Sequence, residues 1–103
     1  MIARIWQGKT PVSKYEQYTR FLEMKAIPDY QSVAGLRGLS FLRKSDDQYG
    51  NFTLITYWDS IESIKKFAGV DYAKAKYYAE DKDYLISFGE HVEHFDVFAS
   101  INS

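Results

Sequence analysis

The segment Phe52-Thr53-Leu54-Ile55-Thr56-Tyr57-Trp58 carries bulky apolar groups at both alternating sets of positions, Phe52, Leu54 and Trp58 on one, Ile55 and Tyr57 on the other. Successive side chains of a strand point to opposite faces of a sheet, so a strand of this kind is covered on both sides. Ile2 to Gln7 repeats the pattern, with Ile2 and Trp6 set against Ala3 and Ile5. Gly8 to Pro11 reads as the break that ends this first strand. The remaining chain must therefore supply cover for two faces.

A helix over about residues 12–27 supplies part of it. Tyr15, Tyr18, Leu22 and Ala26 form a stripe at i, i+3, i+7 and i+11, widened by Phe21. Ser13 and Glu16 have the spacing of a capping box, and Pro28 is expected to end the helix. Lys14, Gln17, Arg20 and Glu23 should face water. Residues 37–44 and 52–58 read as a hairpin around the polar turn Ser45 to Asn51. A second helix starts at Asp59-Ser60, where Asp59 and Glu62 are spaced as a cap pair. It buries Ile61, Ile64, Phe67 and Ala68 and stops at Gly69. A short helical piece is expected after Asp71, through Tyr72, Ala73, Ala75, Tyr77 and Tyr78. Residues 80–90 read as loop, His91 to Ala99 as a last strand, and Ile101 to Ser103 as a loose tail.

At 103 residues the chain fits a single domain, 1–103. Its order is β-α-β-β-α-β, the ferredoxin-like α+β arrangement of an antiparallel sheet with both helices on one face. That leaves the second face bare. The composition, 46% hydrophobic with nine Tyr, seven Phe and two Trp, holds more apolar surface than so thin a core absorbs. A homodimer closed through the bare face is the expected solution.

Charge and cysteine usage narrow the function. Thirteen basic and fourteen acidic residues are interspersed, with no basic stripe, which argues against nucleic acid. Without cysteine there is no disulfide, thiolate zinc site, iron–sulfur cluster or cysteine nucleophile. The first residues lack the basic and apolar regions of a signal peptide, and no apolar run approaches the roughly 20 residues of a membrane span. A cytoplasmic protein is expected, bound to no membrane.

Few residues carry chemistry. His91 and His94 lie three apart on a strand, hence on opposite faces, and cannot share a metal ion. His94, beside Phe95, is either a structural histidine with one hydrogen bond or a general base. Arg4 sits mid-strand and needs a partner, by default an interface salt bridge, otherwise an anionic or enolate-like oxygen. Trp6 and Trp58 are core residues or stacking surfaces for a flat ligand, and Tyr77 and Tyr78 are core, rim or proton donors. Glu80, Asp81 and Asp83 read as a solvated acidic loop, and Gly35 to Gly38 lacks the lysine of a phosphate loop.

The opening Met-Ile-Ala-Arg-Ile-Trp, the junction Tyr57-Trp58-Asp59-Ser60, the helix end Phe67-Ala68-Gly69 and the closing Val92-Glu93-His94-Phe95 resemble the antibiotic biosynthesis monooxygenase family over about residues 2–98. The resemblance implies a dimeric α+β barrel. It also implies a small cofactor-independent monooxygenase acting on an aromatic or quinone-like molecule, which becomes an electron-rich anion able to reduce oxygen. His94, Arg4 and Tyr78 would be its catalytic groups, and Trp6, Trp58, Tyr77 and Phe67 would line the pocket, with no metal and no cofactor. The alternative within the same fold is a non-catalytic protein binding a small apolar molecule or haem. Haem-degrading relatives place an asparagine on the first strand and a histidine on the second helical region. Here Gln7 and the stretch Ala75 to Tyr78 stand there instead, which argues against haem degradation.

Overall fold

The computed structural model describes residues 1–86, 89 and 91–101. Strand β1 (Ile2–Pro11) is followed by a 3₁₀ turn (Val12–Lys14), helix α1 (Tyr15–Phe21), a π turn (Leu22–Ala26) and helix α2 (Ile27–Gln31). Then come β2 (Leu36–Ser45), β3 (Tyr49–Trp58), α3 (Ile61–Ala68), a second 3₁₀ turn (Ala79–Asp83) and β4 (Glu93–Asp96). The strands form one antiparallel sheet in the order β2-β3-β1-β4. This is the ferredoxin-like arrangement, with β3 between β1 and β2 as the split βαβ unit requires.

The registers sort the sheet into two faces. Arg4 pairs with Thr56 and His94, Trp6 with Leu54, and Ile2 with Trp58, all on the face under the helices. There Trp58, Tyr18, Ile64, Leu22 and Phe52 pack into one core. Ile5 pairs with Ile55 and Ala3 with Tyr57 and Phe95 on the other face, which no described helix covers. The two-sided strands are therefore real, and β3 is an inner strand.

Several boundaries differ from the expected ones. Strand β1 runs on through Gly8 to Pro11, because Gly8 and Thr10 continue the ladder opposite Phe52 and Gly50. The hairpin turn is shorter than expected, since the Asp46 carboxylate accepts the Gln48 and Tyr49 amides at 2.8 and 2.7 Å and starts β3 at Tyr49. Pro28 does not end the helix. The Ile27 amide bonds back five residues to Leu22, and this wide turn delivers the chain to Pro28 in the first turn of α2, where no amide donor is needed. Ser13 and Glu16 form no capping box, because Ser13 falls inside a 3₁₀ turn. At α3 the cap is Ser60 rather than Asp59, its hydroxyl accepting the Ser63 amide at 3.2 Å. Gly69 ends α3 as expected, at φ +89°.

The stretch expected to be helical after Asp71 is extended, with Lys74 bridged to His91 and the Val92 amide donating to Ala73 at 2.9 Å. The 3₁₀ turn falls instead on Ala79–Asp83, where loop was expected. It forms there because the Asp81 carboxylate returns to the Tyr78 amide at 2.6 Å. The last strand is shorter than expected, Glu93–Asp96, and Asn102 and Ser103 of the tail lie outside the described residues.

Candidate functional site

Arg4 decides the character of the interior. Its residue is only 3% exposed, and its guanidinium donates to the carbonyls of Tyr72 at 3.0 Å and Lys74 at 3.3 Å. Among the described residues it has no carboxylate within ion-pair distance, and the pairing across an interface expected from sequence gives way to an inward-pointing cation. Burial lowers its pKa, with Tyr30 acting weakly against this. A guanidinium stays charged in a protein, so the fold holds a buried positive charge whose partners among the described residues are neutral carbonyl oxygens.

His94 is its neighbour across the β1–β4 ladder. The ring stands edge-on to Tyr72 with centroids 5.2 Å apart, and its buried Nε2 has no hydrogen-bond partner among the described residues. Burial and then the Arg4 charge lower its pKa, so the imidazole is neutral at pH 7. His91 is exposed and beyond the strand, and the described residues contain no group able to hold a metal ion.

The 69–86 stretch forms the opposite wall. Phe67 stacks on Tyr30 at 4.3 Å between ring centroids, with the Arg4 guanidinium 5.8 Å and the Lys76 ammonium 4.1 Å from its ring. Trp6 meets Tyr77 edge to face at 6.2 Å, and the Tyr77 hydroxyl donates to the Gly89 carbonyl. Tyr78 donates to Asp29 at 2.6 Å, and Lys76 reaches the same oxygen at 3.1 Å. Burial alone would raise the Asp29 pKa, but those two hydrogen bonds outweigh it and hold it below the usual range. Burial and the Asp29 hydrogen bond raise the Tyr78 hydroxyl well above a free tyrosine.

Asp81 corrects the sequence reading of a solvated loop. It is buried, accepting the Tyr18 hydroxyl at 3.1 Å as well as the Tyr78 amide, and burial raises its pKa against those bonds. Tyr30, deeper in the core, is pushed up to about 12 by burial. The space enclosed by Trp6, Tyr18, Tyr30, Lys76, Tyr78 and Asp81 is about 20 Å³, enough for one water.

Arg4, His94, Phe67, Trp6, Tyr77 and Tyr78 are thus gathered behind one irregular stretch. Trp58 lies behind them, its ring 5.8 Å from that of Phe67, as a fully buried side chain whose indole N–H donates to Thr56 at 2.8 Å. Asp29 and Lys76 belong to the site without having been named as site residues from the sequence, and Asp81 belongs to it against the reading of a solvated loop. Their partners lie 47 to 63 residues away, and only the fold brings them together.

No family model matches the sequence, and no curated protein matches it significantly. Solved structures do match in fold. A dimeric ferredoxin-like protein from an uncultured marine organism is 16% identical, with a TM-score of 0.62 and all of both chains covered. A candidate antibiotic biosynthesis monooxygenase from Bacillus cereus is 15% identical at a TM-score of 0.64, covering 99% of this chain and 97% of that one. This chain shares the ferredoxin-like α+β fold of these proteins. MhuD, a haem degrader from Mycobacterium tuberculosis with two haems bound in its active site, is 16% identical at 0.62, covering 99% of this chain and all of that one. The residues here do not fit a haem. Gln7 is exposed on the uncovered face, and residues 69–86 contain no histidine.

Proposed function

We propose that the protein is a small homodimeric, cofactor-independent oxygenase acting on an aromatic or quinone-like molecule that carries an acidic proton next to an oxygen. The observation that carries this is buried Arg4, a cation with no carboxylate partner among the described residues, beside a neutral histidine whose Nε2 has no hydrogen-bond partner among them either. His94 would accept the substrate proton, and Arg4 would hold the resulting enolate or phenolate oxygen. The electron-rich anion reduces molecular oxygen, the new C–O bond forms on the same carbon, and loss of water leaves a carbonyl. A methylene and one O₂ thus give a ketone and one H₂O. Trp6, Phe67, Tyr77 and Tyr78 form the dry wall around the reacting carbon, with Trp58 packed behind them.

A ring does not fit a 20 Å³ space, so binding displaces the stretch from Tyr72 to Tyr78. That stretch is bound to the sheet by few ladder bonds, Lys74 to His91 being the bridge. The bare face, with Ile5, Ile55, Tyr57, Leu42 and Phe95, closes on a second copy and makes the sheet rigid beneath the site. No described helix is long and apolar enough to cross a membrane.

Oxygen uptake with a panel of anthrones and quinols tests the reading. The wild type is expected to consume oxygen with at least one of them. His94→Gln should lower the rate about 10²–10⁴-fold with its melting temperature kept. A panel left wholly untouched overturns oxygenation. A second reading, a binding protein without turnover, is favoured by the absence of a carboxylate to orient His94 among the described residues. Mass spectrometry of gently purified protein would then find a retained small molecule that is never converted. Added hemin should give no sharpened Soret band.

A further inference from the structure

The two cations of the interior are treated differently. Lys76 is answered by the Asp29 carboxylate at 3.1 Å. Arg4 meets, among the described residues, two neutral carbonyls: Nη1 takes that of Tyr72 at 3.0 Å and Nη2 that of Lys74 at 3.3 Å. Both carbonyls come from one turn, closed by the Lys74 amide on the Asp71 carbonyl at 2.9 Å. The two sides of this contact also differ in how firmly they are held. Arg4 stands in the middle of β1, laddered to Thr56 and His94. No residue from 69 to 80 is buried, and single polar contacts tie that stretch down. They are the Lys74–His91 bridge, the Val92 amide on the Ala73 carbonyl, and Lys76 and Tyr78 on Asp29. Segments with so little buried surface open before the sheet does.

We propose that Arg4 is the latch of segment 72–78, and that the interior opens to ligands arriving with an anionic oxygen, a carboxylate or an ionised phenol, while staying shut to their neutral analogues. The inference rests on the reading of this interior as the ligand site and adds the rule for what enters it. A planar fork whose two donors rest on separate neutral oxygens is the arrangement that a carboxylate answers with both of its oxygens at once. Hydrogen bonds between ionised partners are stronger than those to a carbonyl, so the anion takes the guanidinium. The freed carbonyls of Tyr72 and Lys74 turn to water as the segment lifts. A neutral ring offers Arg4 nothing in exchange, and pulling the segment away would leave a buried charge without partners. Only the anion therefore distinguishes the open state from the closed one. This narrows the proposed substrate. Its oxygen on Arg4 is already charged on entry, and the proton left for His94 is the one on the neighbouring carbon.

The test is amide hydrogen exchange, followed by NMR, of the wild type with naphthoate or with naphthylmethanol, which share a ring system and differ in charge. Naphthoate should quicken exchange of the Lys74 and Val92 amides by about 10-fold or more, while the amides of β3 keep their protection. The alcohol should quicken neither. Arg4→Met should exchange those two amides fast without any ligand and show no further response to naphthoate. Arg4→Lys keeps the charge and loses the fork. It should respond to naphthoate more weakly than the wild type, and it carries the test if the methionine variant does not fold. Equal responses to acid and alcohol, a wild type unmoved by naphthoate, or an Arg4→Met segment as protected as the wild type would each overturn the latch. Oxygen uptake separates this from the oxygenase reading. Opening by naphthoate without uptake from any anthrone or quinol keeps the latch and removes the oxygenase; uptake without charge-dependent opening does the reverse.

Discussion

The far edge of the Trp6 indole lies against Gly8, two residues along the same face of β1. A Cβ built on Gly8 would fall 2.2 Å from the Trp6 ring. The glycine is thus the floor on which the aromatic wall of the site rests. Gly8→Ala pushes the indole up into the interior and should cost about 1–3 kcal/mol, read as a lower urea midpoint. Trp6 fluorescence should shift as well, and an unchanged spectrum with unchanged stability would refute this packing.

His94 predicts a pH dependence with a definite sign. Its folded pKa lies below 6.5, so the native state favours the neutral ring. The stability it contributes is present above 6.5 and is lost as pH falls through the folded pKa. Wild-type urea midpoints should therefore drop between pH 7.5 and 5, and His94→Gln should drop less. Equal drops in the two proteins would remove His94 as the cause.

Asp29 acts in a lower window. Tyr78 and Lys76 hold its pKa below 3.8, so its contribution is present above that value and fades as the carboxylate protonates in more acidic solution. Asp29→Asn keeps one acceptor for Tyr78 and loses the Lys76 ion pair. The expected loss is about 1 kcal/mol at pH 7, converging with the wild type in acid. Thermal melts at pH 7 and pH 3 measure both.

Gly69 gives a test free of packing. Its φ is +89°, and a Cβ placed there meets nothing within 4 Å. Gly69→Ala should still destabilise by about 1 kcal/mol, purely through the backbone. Gly69→Asn should cost about as much, because ψ is −178° and asparagine tolerates only the left-handed helical part of positive φ. A neutral alanine variant would contradict the cap.

The sheet was legible because its pattern is local. Alternation in β1 and β3 reveals two apolar faces without any knowledge of what covers them. Helix α3 was legible for the same reason, with Ile64 and Phe67 inside and Gly69 at the stop. The 69–86 stretch was not, since its alanines and tyrosines suit a helix as well as an extended chain. What selects the extended form is distant: Arg4 takes the carbonyls of Tyr72 and Lys74, 68 and 70 residues away. Asp81 was misread because its charged neighbours are solvent residues and its partner Tyr18 lies 63 positions earlier. Arg4 and His94 were visible as isolated residues. Only the register, which sets them side by side, makes them a pair.

The wide turn at Leu22–Ala26 has a consequence for the angular phase of the helical layer. Tyr18, Leu22, Ala26 and Tyr30 are spaced by four and are all buried. On a regular helix each such step overshoots by about 40°, so the fourth residue would swing out of line with the first. One broadened loop, holding an extra residue, turns the chain less per position and cancels part of that drift. Removing a single residue between 22 and 26 would rotate everything after it by about 100°, carrying Tyr30 off Phe67 and Asp29 off Tyr78. One irregular turn thus keeps the two ends of the helical layer aimed at the same interior.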